Sequence, residues 1–292
     1  MDSLLIIIFG GMTRASVYFL IASGLTLVFG VAKVINFAHG SIFVLGMYIT
    51  YSLVTSVFEA NQYGFWISLL MTPIILGALG FILEALLLRR AYKKEHLIQL
   101  LITFGLVYIL SDVYRIGWGV MPQNVPRPEI LSGTLFFLNM PFPTYNIFAI
   151  LFSIFIYYVL VTIVSTTQLG RLSRAVSFDG DMCQLLGINV PKMFSIIFSM
   201  GCILAGLGAT LATQLSSVNL GMETHITILA FILVIVGGVG SVKGAALASI
   251  IIGLVEAFGS LFLAEMVLVL IYLVMVGVLL IRPFGILGRS IF

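Results

Sequence analysis

Charge is what this sequence has least of. Only 9% of its 292 residues are Asp, Glu, Lys or Arg, against about 25% in an ordinary soluble domain. Hydrophobic residues make up 61%, and the mean hydropathy is +1.22. A water-soluble globule of this composition lacks the polar surface to cover its apolar mass. Soluble enzyme, secreted disulfide scaffold and disordered tail are thereby excluded. Fourteen basic and eleven acidic residues are spread thinly, with no basic patch of the kind that holds nucleic acid. Cysteine is almost missing: Cys183 lies in a polar stretch and Cys202 in an apolar one. With neither metal spacing nor a disulfide framework, two unpaired thiols are expected. The start, Met1-Asp2-Ser3, has no basic n-region and no cleavage site follows the first apolar run. The first spans are therefore expected to act as their own insertion signals. Phosphate-loop, Cys-x-x-Cys, His-x-x-x-His and Gly-x-Ser-x-Gly motifs are all missing. No enzymatic site, no ATP site of the usual kind, no bound cofactor and no metal are expected. Active transport would draw its energy from another subunit or from an ion gradient.

What is present is a series of long apolar runs. A helix needs about 20 apolar residues to cross the bilayer core. Runs of that order lie at about 15–32, 41–58, 66–88, 97–119, 145–165, 193–215, 226–240, 245–263 and 266–281. The expectation is a single all-α polytopic membrane domain over 1–292, with about 8–9 transmembrane helices. Residues 3–11 are apolar but short, either an interfacial helix or a lead-in to the first span, and Arg14 interrupts between. Many of the 29 glycines fall in apolar runs, where small residues let helices approach closely in lipid.

Polar stretches are few: 89–96, a proline-rich one from about 120 to 144 (Pro122, Pro126, Pro128, Pro141, Pro143), 168–192, and the tail from Arg282. The first, third and last hold nine of the fourteen Lys and Arg, whereas the alternate loops 58–65, 121–144 and 216–225 hold only Arg127. The positive-inside rule places the basic set in the cytoplasm. The C-terminus is then expected inside, the proline-rich loop outside and, with nine spans, the N-terminus outside.

Two stretches interrupt apolar runs in a similar way, Val28 to Ser41 and Val234 to Gly244. Each has a span, glycines, a lone lysine and a small-residue helix start, which hints at an internal pseudo-repeat with broken helices. Interrupted spans in matching halves point to a transporter's substrate site, because freed backbone groups at membrane depth must be buried in protein or line a cavity. Two accounts fit Asn36, His39 and Ser41. Either they line a translocation path, with the next helix start offering N–H groups to an anion, or Asn36 and Ser41 cap helix ends and His39 satisfies a carbonyl. Phe37 and Val44 are candidates for an apolar wall, and unwound carbonyls near Gly237, Gly238 and Gly240, beside Ser241, for acceptors facing a solute. Charges inside apolar runs are Arg14, Glu84, Asp112, Arg115, Glu256 and Glu265. Asp112 and Arg115 can pair at i, i+3, and Glu256 is the deepest and least explained.

The stretch 168–192 is expected to carry a short helix over 178–186, ended by Gly187 and kept from continuing by Pro191. Such a helix is either a docking knob for a soluble partner or a solvated connector.

At these residues a resemblance emerges. Gly24-Leu25-Thr26-Leu27-Val28-Phe29-Gly30-Val31, followed by Val34-Ile35-Asn36-Phe37-Ala38-His39-Gly40, resembles the signature of LivH-type permeases, membrane subunits of ABC importers for branched-chain amino acids. Arg174-Ala175-Val176 through Leu186-Gly187-Ile188-Asn189-Val190 resembles the coupling loop of that family. Ala205-Gly206-Leu207-Gly208 and Gly237-Gly238-Val239-Gly240-Ser241 also match. Two departures stand out: Ser41 sits where relatives commonly carry an acid, and Asp181, Met182, Cys183 and Gly187 stand at the Glu-Ala-Ala-x-x-x-Gly places. The resemblance implies half of a translocation path for a hydrophobic amino acid in the bacterial inner membrane. Asn36, Phe37, His39, Gly40, Ser41, Gly237, Gly238, Gly240 and Ser241 would line the path, and Arg174, Asp181, Gly187, Ile188 and Asn189 would couple it to ATP hydrolysis. It implies as partners a LivM-like second permease, two ATP-binding subunits and an extracytoplasmic substrate-binding protein, besides membrane lipids. Urea, short amides and aromatic acids are alternative substrates of similar permeases. An ion-coupled transporter acting alone, or a purely structural membrane subunit, are alternatives of other classes.

Overall fold

The computed structural model describes residues 2–57, 63–92, 94–137 and 140–288. Lys93, Arg289 and the loop tip at 58–62 lie outside the described residues. The helices are α1 (Asp2–Ala32), α2 (His39–Ser52), α3 (Gly64–Leu83), α4 (Arg89–Ala91), α5 (His96–Trp118), α6 (Thr144–Thr166), α7 (Gln168–Phe178), α8 (Gly180–Leu185), α9 (Val190–Ala212), α10 (Met222–Gly237), α11 (Val242–Phe262) and α12 (Val267–Ile281). Wide π-type turns extend α2 over Leu53–Val57 and α3 over Glu84–Leu88. A hairpin of β1 (Thr134–Phe137) and β2 (Met140–Pro143) lies in the proline-rich loop. Helix dominates because no water is available in the bilayer core, so each peptide group must be bonded within its own segment.

Eight helices among the described residues are long and apolar enough to cross a membrane, so the chain is a multi-pass membrane protein. The stretch expected as a ninth span, 226–240, forms α10 instead, a shorter helix of 16 residues that starts earlier, at Met222. Residues 3–11 are neither separate nor interfacial in register: α1 runs unbroken for 31 residues, and Arg14 is accommodated by an ion pair with Glu256 at 3.3 Å. The expected 178–186 helix is α8, shortened to Gly180–Leu185 and preceded by a separate α7, and Pro191 occupies the first turn of α9, where its missing N–H costs nothing.

The helices form two shells. Burial is 72% over the α1 window and 67% over α9, against 17% for α6 and 6% for α12. The first pair makes the core and the second pair faces outward. α1 packs on α9 and α11, and α3 on α9. The α1–α9 crossing depends on glycine at both helices. A Cβ on Gly24 would sit 2.6 Å from the Gly201 carbonyl oxygen, and one on Gly201 would sit 3.0 Å from that of Gly24. No side chain fits between them.

The two ends of the bundle differ. Ser177 donates to the Gly30 carbonyl at 2.7 Å, and Gly30 lies against Gly240. Lys33 and Lys243 thus join the end that carries Arg89, Arg171, Arg174 and Lys192. At the other end, Phe9 meets Phe142 with ring centroids 4.7 Å apart, Tyr145 donates to the Leu211 carbonyl at 2.7 Å, and Gln123 pairs with Val218.

Candidate functional site

The first break lies deep in the bundle. α1 ends at Ala32, and residues 33–38 are non-helical. Six such residues reach back about 20 Å. His39 opens α2 with its Nε2 donating to the Ile21 carbonyl at 3.2 Å. Ile21 lies eleven residues before the end of α1, about 16 Å along its axis, so α2 starts near mid-depth. The second break takes only four residues, 238–241, between α10 and α11. It stays at the basic end, where Gly238 and Gly240 adopt φ of 99° and 76°. The lengths of the two connections explain why similar strings occupy different depths.

Around the first break the side chains are buried and only partly bonded. Asn36 accepts from the Ala38 N–H through Oδ1 at 3.1 Å, a turn before α2 rather than the helix cap of the second account. Its Nδ2 has no partner, and neither has Ser41 Oγ. Ser41 is therefore not a cap, and no side chain caps the α2 N-terminus. Phe37 stacks on Phe104 at 4.5 Å and meets Phe231 at 5.0 Å. Its carbonyl accepts from Thr227 Oγ1 at 3.2 Å. Gly40 lies directly on the first turns of α10. The α10 N-terminus is also uncapped by any side chain. Two helix starts, each with free N–H groups and a positive dipole end, thus meet deep in the protein.

Three residues that the sequence reading did not single out complete this region. Glu223, in the first turn of α10, is 6% exposed, with no partner on Oε2. Tyr48 is fully buried and its hydroxyl is unpartnered. Tyr114 stacks on Tyr48 at 5.2 Å and donates to the Ser41 carbonyl. Ser41 and Tyr48 are seven residues apart, two turns along one helix face. The available signal was an acid just after Gly221 at a helix start, but the apolar run alone begins at 226 and leaves Glu223 in a loop.

The structure does not bring the second set to this region. The Gly237 carbonyl accepts from Leu287 N at 3.1 Å, that of Val236 from Ile286 N at 2.8 Å, and that of Gly238 from Ser241 N at 3.1 Å. Ser241 Oγ caps α11 by accepting from Gly244 N at 3.0 Å. The C-terminal segment, not open space, meets these groups.

Of the other charges in apolar runs, all but the exposed Glu265 are paired among the described residues. Arg115 meets Asp112 at 2.9 Å and Arg89 meets Glu84 at 3.2 Å. Glu256 pairs with Arg14 and also accepts from the Tyr18 hydroxyl. Glu256 is therefore a structural partner of Arg14 rather than a free carboxylate. Glu256→Gln is expected to leave uptake within about twofold of wild type, since Gln keeps an acceptor for Arg14 and Tyr18. A tenfold loss that tracks an imposed proton gradient would favour the ion-coupled alternative.

The 168–192 stretch presents an exposed knob. Asp179 caps α8 by accepting from Met182 N at 2.9 Å. Gly187 closes it at φ 84°, with Gly187 N on the Gln184 carbonyl at 3.0 Å and Ile188 N on that of Cys183 at 3.0 Å. Asn189 caps α9 through Lys192 N at 3.0 Å. Arg174 binds the Val164 carbonyl of α6. Asp181 is exposed. Phe178 is 92% and Leu185 84% exposed, with Leu186 and Met182 beside them.

Over residues 7–279 the chain matches the family described as branched-chain amino acid transport system permease components. It belongs to that family. Relatives include the high-affinity branched-chain amino acid transport system permease protein BraD of Pseudomonas aeruginosa, 31% identical over 96% of this chain and 94% of that one. The LivH permease protein of Escherichia coli K12 is 28% identical over the same shares. The ribose import permease protein RbsC of Haemophilus influenzae is 27% identical over 82% of this chain and 73% of its own length. Like these relatives, the chain is a transport permease component.

Proposed function

We propose that this chain is the membrane permease subunit of an ATP-driven, binding-protein-dependent importer and forms half of the path for a hydrophobic amino acid. The observation that carries this reading is the deep break before α2, where Asn36, Phe37, His39, Gly40 and Ser41 place polar atoms and an aromatic wall beside uncapped helix starts. Transport proteins keep irregular backbone at depth where a solute passes. A second, LivM-like permease supplies the other half. Two ATP-binding subunits dock on the exposed α7–α8 knob, and a substrate-binding protein delivers at the proline-rich end. No cofactor is held by this chain; ATP is bound by its partners. Family membership and the RbsC relative together support the importer class more strongly than the side chain of the solute.

The basic end, enlarged by Lys33 and Lys243, supports a cytoplasmic C-terminus in a bacterial inner membrane under the positive-inside rule. Gly237, Gly238, Gly240 and Ser241 then form the inner mouth, held by the C-terminal segment, and Arg174, Asp181, Gly187, Ile188 and Asn189 fix the shape of the docking knob. Rocking of the bundle when the ATP subunits close would open the path inward.

Gentle purification of the tagged chain from its native membrane tests the assembly: two ATP-binding subunits and a second permease are expected. A chain that comes out alone and drives uptake from an ion gradient would overturn it. The docking surface has its own test. Phe178→Asp with Leu185→Asp is expected to reduce ATP-driven uptake at least tenfold while membrane insertion stays normal, since both side chains are exposed and carry no part of the core. Unchanged uptake would remove the knob from the coupling path.

A further inference from the structure

Glu223 is the exception among the carboxylates of this chain that lie inside the bundle. Glu84 and Glu256 each pair with an arginine. Glu223 is 6% exposed, its Oε2 has no hydrogen-bond partner and it has no salt bridge among the described residues. A buried carboxylate without a cation is strongly disfavoured, and inside a membrane protein it marks a functional site by default. The start of α10 lowers the cost of its charge, because an acid in the first helical turn faces the positive end of the dipole. The dipole supplies no hydrogen bond donor to Oε2, so the site still lacks a cationic one.

The surroundings have the chemistry of a small ammonium site. The Tyr48 hydroxyl is a second unpartnered atom, on the α2 face shared with Ser41, whose Oγ is a third. The Tyr48 and Tyr114 rings stack at 5.2 Å, Tyr114 donates to the Ser41 carbonyl, and aromatic faces attract cations. Glu223 and Gly40 hold the two helix starts together, so the site sits where α2 begins, near mid-depth.

We propose that Glu223, with the hydroxyl of Tyr48, receives the α-ammonium group of the transported amino acid as it passes the middle of the membrane. The site takes a primary ammonium and excludes solutes that carry a carboxylate alone. It would be occupied transiently, because a tight site at mid-path would slow release. This inference rests on the reading above that the solute is an amino acid.

The test uses the whole importer, with its partner subunits and binding protein, in liposomes with internal ATP and external tritiated leucine. Glu223→Gln copies the neutral acid in shape and hydrogen bonding but removes the charge. It is expected to lower leucine uptake more than tenfold with the complex assembled, and Glu223→Asp to recover part of the rate. Uptake by Glu223→Gln at the wild-type rate would overturn the ammonium site while leaving the amino-acid reading intact. Where Glu223→Gln does not assemble, Tyr48→Phe decides: a loss of threefold or more supports the site and an unchanged rate overturns it. A wild-type importer that moves urea or acetamide with ATP but no leucine overturns both the site and the amino-acid reading, and leaves the importer reading standing.

Discussion

Replacing Gly40 with valine is expected to abolish uptake and to prevent recovery of the folded complex. A Cβ at this position would lie 2.2 Å from Thr227 Oγ1 and 2.7 Å from both the Glu223 carbonyl oxygen and the Thr227 N–H nitrogen. Two of those three atoms belong to the α10 backbone, so no rotamer change relieves the clash. α2 and α10 must separate, and the Thr227–Phe37 hydrogen bond (3.2 Å) and the packing of Phe37 on Phe231 go with them. Overpacking of a well-filled interior costs about 1–3 kcal/mol, so even alanine should lower the thermal stability of the detergent-extracted complex measurably, and valine should reduce uptake more than tenfold. Gly105 and Gly277 supply the contrast. A Cβ at either meets nothing within 4 Å, and alanine there is expected to be neutral or to stabilise by about 0.5–1 kcal/mol through helix propensity. Equal behaviour of Gly40→Ala and Gly105→Ala would show that the two helix starts do not meet as closely as described.

The residues that allow this crossing were partly legible in advance. Asn36, Phe37, His39 and Gly40 stand out because a glycine-rich interruption of an apolar run has few explanations in a membrane, and the structure gathers them at one point. Depth was not legible. It depends on whether the connection is long enough to climb back, six residues after α1 against four after α10, and run-length reading takes both as ordinary loops. Glu223 was hidden for a related reason. Hydropathy averages over a turn or more, so a single acid in the first turn of α10 reads as the end of the preceding loop. Ser41 stands where the resembled permeases commonly carry an acid; in this chain the buried carboxylate comes from the neighbouring helix. Tyr48 and Tyr114 are apolar by count and reveal themselves only when their hydroxyls are traced. The helices themselves were legible because the bilayer leaves the backbone so few options, whereas side-chain pairing across helices has no local signature. The Arg14–Glu256 contact, across 242 positions of sequence, is of that kind.

The pair Glu84 and Arg89 yields the other large effect. The side chain of Glu84 is fully buried, and its Oε2 accepts from Arg89 Nη2 at 3.2 Å and from the Ser195 hydroxyl of α9. Arg89 Nη2 also donates to Ser195 Oγ at 2.7 Å. Five residues separate the pair, a spacing that an α-helix turns away from one face. The wide turn at Glu84–Leu88, with Arg89 N–H bonding the Glu84 carbonyl, brings them together, since a π-type turn closes at i+5. Burial beside the Glu84 carboxylate pushes the Tyr92 phenol well above its ordinary range, and Tyr92 packs on Phe194 at 5.0 Å. Glu84→Ala strips Arg89 and Ser195 of their shared acceptor and leaves a half-buried cation uncompensated. Breaking a fully buried pair costs about 3–5 kcal/mol; with the Arg89 side chain 40% exposed, the loss is expected at or below the lower end of that range. Glu84→Gln keeps the acceptor and should cost far less. Replacing both members with methionine should recover much of the Glu84→Ala loss, because an apolar pair of similar volume carries no desolvation penalty. Thermal unfolding of the purified complex, arranged as a double-mutant cycle, measures the coupling, expected at about 1–3 kcal/mol. Additive single effects would mean that the wide turn, not the ion pair, fixes the inner end of α3 against α9. α9 follows directly on the exposed knob of α7 and α8, so under the proposed docking that joint would pass a push on the knob to α3.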